Sequence, residues 1–254
     1  MRKRSKNIIE KAYPLMLGFI LLILWQAAAS AELVKSYLLP SPIKILQALI
    51  RIMPELTDHI GITLFEALFG LAAGVALAFV IALLMDSIDF LYKAVYPLLV
   101  ISQTVPIVAI APLLVLWLGY GLAPKIVLVI LICFFPIAIG MLDGFKSADR
   151  DAITLLRAMG ATRTQIFFHI KLPSSLGGFF AGLKISVAYS VVGAVIAEWL
   201  GGSFGLGVYM TRVRKSYAYD NMFAVIILIS VLSLLLINAA RLLQKKAMPW
   251  ENNK

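Results

Sequence analysis

The stretch Thr57–Met85, TDHIGITLFEALFGLAAGVALAFVIALLM, decides the fold. From Ala67 to Met85 it carries no charged side chain. A bilayer core takes about 20 mainly apolar residues per helix. Backbone polar groups in lipid have no water to bond, so such a run must be a helix that satisfies them internally. This one is long enough to tilt or to protrude. Five more stretches qualify: Tyr13–Ala31, Lys93–Leu118, Ala123–Leu142, Ser174–Glu198 and Asn221–Leu243. The expected fold is therefore all-α, a polytopic helical membrane protein with six transmembrane helices. The third span contains Pro97, Pro106 and Pro112, and the fourth Pro136. Each proline removes a backbone donor and kinks its helix. That places the third span beside a pathway, or else marks irregular packing.

Composition agrees. Apolar residues make up 61% of the 254 and charged residues 14%, with a mean hydropathy of +0.94. A soluble domain carries about a quarter charged residues, so there are too few here to wet a globular surface. The net charge of +10 is explained without nucleic acid. If the N-terminus is cytoplasmic, the inside segments hold more than twice as many Lys and Arg as the outside ones. The inside set is the head (Arg2, Lys3, Arg4, Lys6, Lys11), Lys93, the long connection (Lys146, Arg150, Arg157, Arg163, Lys171) and the tail (Arg241, Lys245, Lys246, Lys254). The outside set is Lys35, Lys44, Arg51, Lys125, Arg212, Arg214 and Lys215. This bias puts both termini in the cytoplasm. The head followed by an apolar run reads as a retained first helix rather than a signal peptide, because further spans follow. The lone Cys133 lies in an apolar run, and His59 and His169 are separated by several spans, so neither a disulfide nor a shared metal site is expected.

The connections differ in kind. In the outside segment Glu32–Leu56, Ser41 can cap a helix that starts at Pro42, and the spacing of the apolar residues after it suits a short helix on the membrane surface. Gly201, Gly202, Gly205 and Gly207 announce a tight turn or re-entrant backbone. The long inside connection, Asp143–Pro173, is amphipathic. Ile153, Leu156 and Met159 sit at helical spacing, Gly160 breaks the helix, and Ile166, Phe167 and Ile170 resume an apolar stripe. Two short helices hinged at a glycine, with a partly apolar face, need a protein partner or the membrane surface.

At this connection the chain resembles the membrane subunits of bacterial ATP-binding-cassette importers that use a solute-binding protein. Gly160, Ala161, Ile170, Leu172 and Pro173 match the spacing of that family's cytoplasmic loop. The loop's Glu-Ala-Ala part is replaced by Thr154-Leu155-Leu156, and Asp151 is the nearest acid. Further fragments, in order along nearly the whole chain, resemble the nitrate, sulfonate and taurine branch: Leu39–Ile43, Val105–Pro112, Leu116–Gly121 and Ala197–Gly207. The resemblance implies a single permease domain over 1–254 with the fold of type I importers, and a coupling loop over 143–173. It implies a second permease copy, two ATPase subunits that use ATP and Mg²⁺, and an extracytoplasmic solute-binding protein, all at the bacterial cytoplasmic (inner) membrane. Asp151, Arg157, Gly160, Ala161, Thr162, Ile170, Leu172 and Pro173 would couple to the ATPase. The chain has no phosphate-binding Gly-x4-Gly-Lys-Ser/Thr loop, so no cofactor and no catalysis is expected in it. The residues after Glu198 look most like permeases for thiamine-precursor pyrimidines, with sulfonate, taurine, nitrate or riboflavin-like substrates left open.

Charged residues within spans are costly and face the bundle interior. Glu66 and Lys184 are the two clear cases; they either pair or find separate solutions, Lys184 snorkelling and Glu66 bonding a hydroxyl. An acid at Glu66, where the branch is often basic, argues against a small inorganic anion. Glu66, Gln103, Thr104, Pro106, Lys184, Tyr189 and Glu198 are the candidates for the substrate pathway. Glu198 is alternatively part of a solvated outer rim with Arg212, Arg214 and Lys215. Trp117, Trp199 and Tyr120 suit an aromatic belt. Two other classes compete: a transporter without an ATPase, which would show inverted repeats or rows of intramembrane acids, and a membrane scaffold, which needs no kinked spans.

Overall fold

The computed structural model describes residues 2–31, 35 and 38–250. Glu32, Lys254 and the side chains of the basic head lie outside the described residues. Among those described, regular structure is helical throughout: α1 (Arg2–Ser30), α2 (Pro42–Ser87), α3 (Asp89–Ser102), α4 (Ile107–Leu118), α5 (Leu122–Lys146), α6 (Arg150–Ala158), α7 (Arg163–Ile166), a π-turn (Phe167–Lys171), α8 (Leu172–Glu198), α9 (Leu206–Lys215) and α10 (Tyr219–Ala247). The all-α reading holds, but the count of six spans is not reproduced. Among the described residues, four helical segments are long and apolar enough to cross a membrane: Pro42–Ser87, Leu122–Lys146, Arg163–Glu198 and Tyr219–Ala247. The pair α3 and α4 makes a fifth if taken as one broken span, and the apolar part of α1, Met16–Ser30, is shorter.

Three local departures from the expected spans have identifiable causes. The surface helix expected at Pro42 is not separate; it runs on without a break into the second span as the 46-residue α2. Ser41 does sit at its start, with the Lys44 N–H 3.4 Å from Ser41 Oγ and the Ile45 N–H donating to the Ser41 carbonyl. The third span is not one helix. It is bent by 103° between Ser102 and Ile107. A proline pushes the residue before it out of the helical region, so Val105-Pro106 stops α3 and Pro106 starts α4 in an extended conformation. Hydroxyls bond carbonyls at the break: Ser102 Oγ donates to Leu99 O and Thr104 Oγ1 to Ile101 O. The fifth span starts at Arg163, well before Ser174. Inside it, Pro173 cannot donate to the preceding turn. The helix absorbs this with the π-turn, where the Leu172 N–H reaches back five residues to Phe167 O.

The chain forms two compact units: Met1–Thr57 with Tyr209–Leu228, and Asp58–Val208 with Ile229–Lys254. In the first, Arg51 bonds Asp220 (3.0 Å) and Asn221 (2.9 Å), Arg212 pairs with Glu55 (3.3 Å), and Trp25 lies against Phe223. The second holds the main core, in which Val129, Cys133, Ile137 and Met141 of α5 meet Phe180, Val187, Val191 and Ala194 of α8 and Ala67, Ala78 and Ala82 of α2. Lipid tails are as apolar as these side chains, so close packing rather than water exclusion holds such helices together. The α5–α8 contact achieves it with small residues. A Cβ on Gly140 would overlap the Gly178 carbonyl, and one on Gly182 the Pro136 carbonyl. At this approach Ser186 Oγ donates to Cys133 O (2.8 Å) and Cys133 Sγ lies 3.4 Å from Ser186 O.

Candidate functional site

Residues of functional interest gather at the two ends of α8. At its start lies the amphipathic loop. The Asp149 side chain caps α6, accepting from the Asp151 N–H (2.9 Å) and the Ala152 N–H (3.3 Å). Asp151 is exposed in the first turn, where a carboxylate suits the helix dipole. Gly160 ends α6 at φ +82°. The Ala161 N–H bonds Leu156 O and the Gly160 N–H bonds Arg157 O, both at 3.0 Å. This is the Schellman closure, which needs a left-handed residue at that point, so the glycine hinge has a defined geometry. Thr162 and Gln165 then form a reciprocal capping box that restarts the chain as α7.

The second expected short helix is thus the beginning of the long α7–α8 segment and not a separate element. The apolar stripe of α6 is also redistributed. Ile153 and Leu156 are half-buried, whereas Leu155 is 63% and Met159 74% exposed. Leu155 and Met159 lie four residues apart on one face; Ile153 and Arg157, also four apart, lie on roughly the opposite one. Of the coupling candidates, the α6 and hinge residues therefore sit on one protrusion. Ile170, Leu172 and Pro173 are set apart from it, half-buried in the π-turn and first turn of α8.

At the other end of α8 lies a buried polar network, and of the two alternatives for Glu66 and Lys184 it takes the separate one, with Lys125 rather than a hydroxyl as the partner of Glu66. Glu66, with no exposure, accepts from Lys125 Nζ at 2.7 Å, and Lys125 is itself 5% exposed. Lys184 is half-buried and forms no ion pair among the described residues. Glu198 is not part of a solvated rim: it is 1% exposed, accepting from Thr63 Oγ1 and the Gly207 N–H, both at 2.6 Å. Thr63 accepts in turn from the Leu206 N–H (2.9 Å), and the Gly205 N–H donates to His59 Nδ1 (2.9 Å). His59, Thr63 and Glu66 recur along one face of α2, so that face, Lys125 in the first turn of α5 and Glu198 together clamp the turn Gly205–Gly207. A Cβ on Gly205 would enter the Glu198 carboxyl. Buried charges must be paired or fully hydrogen-bonded, and here they are, save for Glu66 Oε2.

The sequence-based reading missed Lys125 by counting it as an outside loop residue. A helical side chain points back over the preceding turn, which carries this ammonium toward Glu66. The remaining pathway candidates differ from this cluster. Gln103, Thr104 and Pro106 are exposed together at the α3–α4 bend, and Tyr189 is 54% exposed on α8.

The family model described as "Binding-protein-dependent transport system inner membrane component" matches residues 70–248. The chain is 37% identical to the formylaminopyrimidine transport permease protein ThiX of Halalkalibacterium halodurans, over 99% of this chain and 100% of that one. It is 30% identical to the riboflavin transport system permease protein RibX of Chloroflexus aurantiacus, covering 91% and 87% respectively. Its fold is similar to that in the crystal structure of an amino acid ABC transporter with histidines. There the TM-score is 0.64 at 13% identity, covering 78% of this chain and 96% of that one.

Proposed function

We propose that this chain, which belongs to the family of binding-protein-dependent transport system inner membrane components, passes a small uncharged nitrogen heterocycle and is driven through its Asp143–Pro173 loop. As a member of that family it is the membrane-spanning permease subunit of an ATP-binding-cassette importer. It is a multi-pass inner-membrane protein that works with ATPase subunits and a solute-binding protein.

The observation that carries the coupling reading is the exposed apolar pair Leu155 and Met159 on a protruding helix with a defined glycine hinge. Such a pair fits a groove on an ATPase. In the working unit two copies of the permease stand over two ATPases, with both termini in the cytoplasm. The ATPase binds ATP and Mg²⁺; its closure presses on α6. The Schellman closure and capping box let the loop move as one piece, and the small-residue α5–α8 contact makes the helices behind it a stiff lever.

The substrate reading is supported by the 37% identity to a formylaminopyrimidine permease along the whole chain. The Glu66–Lys125 pairing supports it too, because a lysine neutralised by a carboxylate offers no counter-charge to an inorganic anion. Gln103 and Thr104 at the helix break, with Tyr189, would supply hydrogen bonds to a heterocycle, since broken helices bring polar groups to a pathway. The Glu66–Lys125–Glu198 network would hold the extracytoplasmic turn rather than touch substrate.

Gly160→Val tests the coupling. Valine resists the left-handed conformation, so the variant should reach the membrane yet no longer co-purify with its ATPase; undiminished co-purification would refute this docking. For the substrate, proteoliposomes holding the complete importer should take up formylaminopyrimidine only with ATP and the binding protein. Uptake of taurine or riboflavin in its place would reassign the substrate.

A further inference from the structure

A cavity of about 510 Å³ lies beneath the loop, lined by residues from the end of α2, from α6 and from the α7–π-turn segment. We propose that it binds the headgroup of an anionic phospholipid, which ties α6 to the inner ends of α2 and α8.

The charge in the cavity is unbalanced. Arg157 and Arg163 line it, and neither guanidinium forms an ion pair or hydrogen bond among the described residues. Lys171 and Asp86 line it as well, but they neutralise each other, with Nζ 2.8 and 2.9 Å from the two carboxylate oxygens. Two guanidiniums are left without a counter-charge, the arrangement that suits a phosphate ester through paired N–H donors.

Depth and wall chemistry select the source of the phosphate. Leu83 and Asp86 belong to the last turns of one apolar span, and Phe167 and Lys171 to the first part of another. The charge-free run of α2 ends at Met85 and Asp86 is the first charged side chain after it, so the cavity lies at the polar boundary of that span. Leu83, Ile153 and Phe167 give it apolar walls, which a soluble phosphate does not use and an acyl chain does. Basic pockets between helices at this depth are recognised lipid sites in membrane proteins generally.

The cavity face of α6 bears Ile153 and Arg157, and the opposite face bears Leu155 and Met159. Lipid and ATPase would therefore engage different sides of the same helix, and the two readings can fail separately. A bound lipid would fix the loop against α2 and stiffen the hinge.

The complete importer in neutral detergent, titrated with short-chain phosphatidylglycerol or phosphatidylcholine and followed by native mass spectrometry, tests this. The wild type should retain phosphatidylglycerol over phosphatidylcholine, and the double variant R157Q/R163Q should lose that preference by roughly tenfold or more. A thermal unfolding curve in detergent that matches the wild type is the control for folding. The variant R157K/R163K, which keeps the charge, should retain part of the preference even if the glutamine variant does not fold. Equal retention of the two lipids by the wild type, or an unchanged preference in R157Q/R163Q, would overturn the proposal. So would displacement of the lipid by millimolar inorganic phosphate, which would assign the site to a soluble anion.

Discussion

Lys125→Met is expected to be among the most damaging single substitutions in this chain, although it exchanges a lysine for a residue at home in lipid. The change leaves the Glu66 carboxylate, without exposure, lacking its 2.7 Å partner. Breaking a buried ion pair from one side costs about 3–5 kcal/mol, because the surviving charge stays buried and uncompensated. In detergent, the apparent Tm should fall by on the order of 10 °C. Glu66→Gln together with Lys125→Met removes both charges and should recover much of that loss, since a buried pair replaced as a unit is often near neutral. Lys93→Met, at an exposed pair with Asp89, is the matched control, and surface pairs contribute little. If Lys125→Met costs no more than Lys93→Met, the network does not hold the Gly205–Gly207 turn.

The second large effect is expected from neighbouring glycines of α8. Gly178→Ala places a methyl group into the Gly140 carbonyl, where backbone rather than a movable side chain stands in the way. The helices must separate, with a cost of about 1–3 kcal/mol or more and the loss of the Ser186–Cys133 contacts. Gly177→Ala, one residue earlier, meets nothing within 4 Å. It should be neutral or stabilise by up to about 1 kcal/mol through helix propensity. Thermal unfolding of the two variants side by side is the check, and equal behaviour would rule out the close α5–α8 approach. In transport, Gly178→Ala should also uncouple ATP hydrolysis from uptake, because a loosened α5–α8 pair no longer works as a lever.

These effects separate what was legible along the chain from what was not. The glycine hinge was legible because a Schellman closure is built from neighbours: Gly160 bonds within a few residues of itself, and so does the Thr162–Gln165 box. The break in the third span was only half legible. Pro97, Pro106 and Pro112 all signalled a kink, but the span is broken at Val105-Pro106, while Pro97 and Pro112 lie inside continuous helices. The restart of the chain at Arg163 was obscured because Pro173 reads as a helix start, whereas the π-turn lets the helix run through it.

By itself the sequence determined that this protein lives in a bilayer as helices and carries an amphipathic hinge between them. Hydrophobic run length, proline and glycine act over one or two turns, so their consequences are local. Only the tertiary structure decided that Glu66 meets Lys125 and not Lys184, that Glu198 is buried, and that Arg157 and Arg163 share a cavity. Each of those depends on which helix ends come together. In a membrane that choice is made by close packing at a few small residues, such as Gly140 against Gly178, and not by the hydrophobicity that the long runs of the chain have in common.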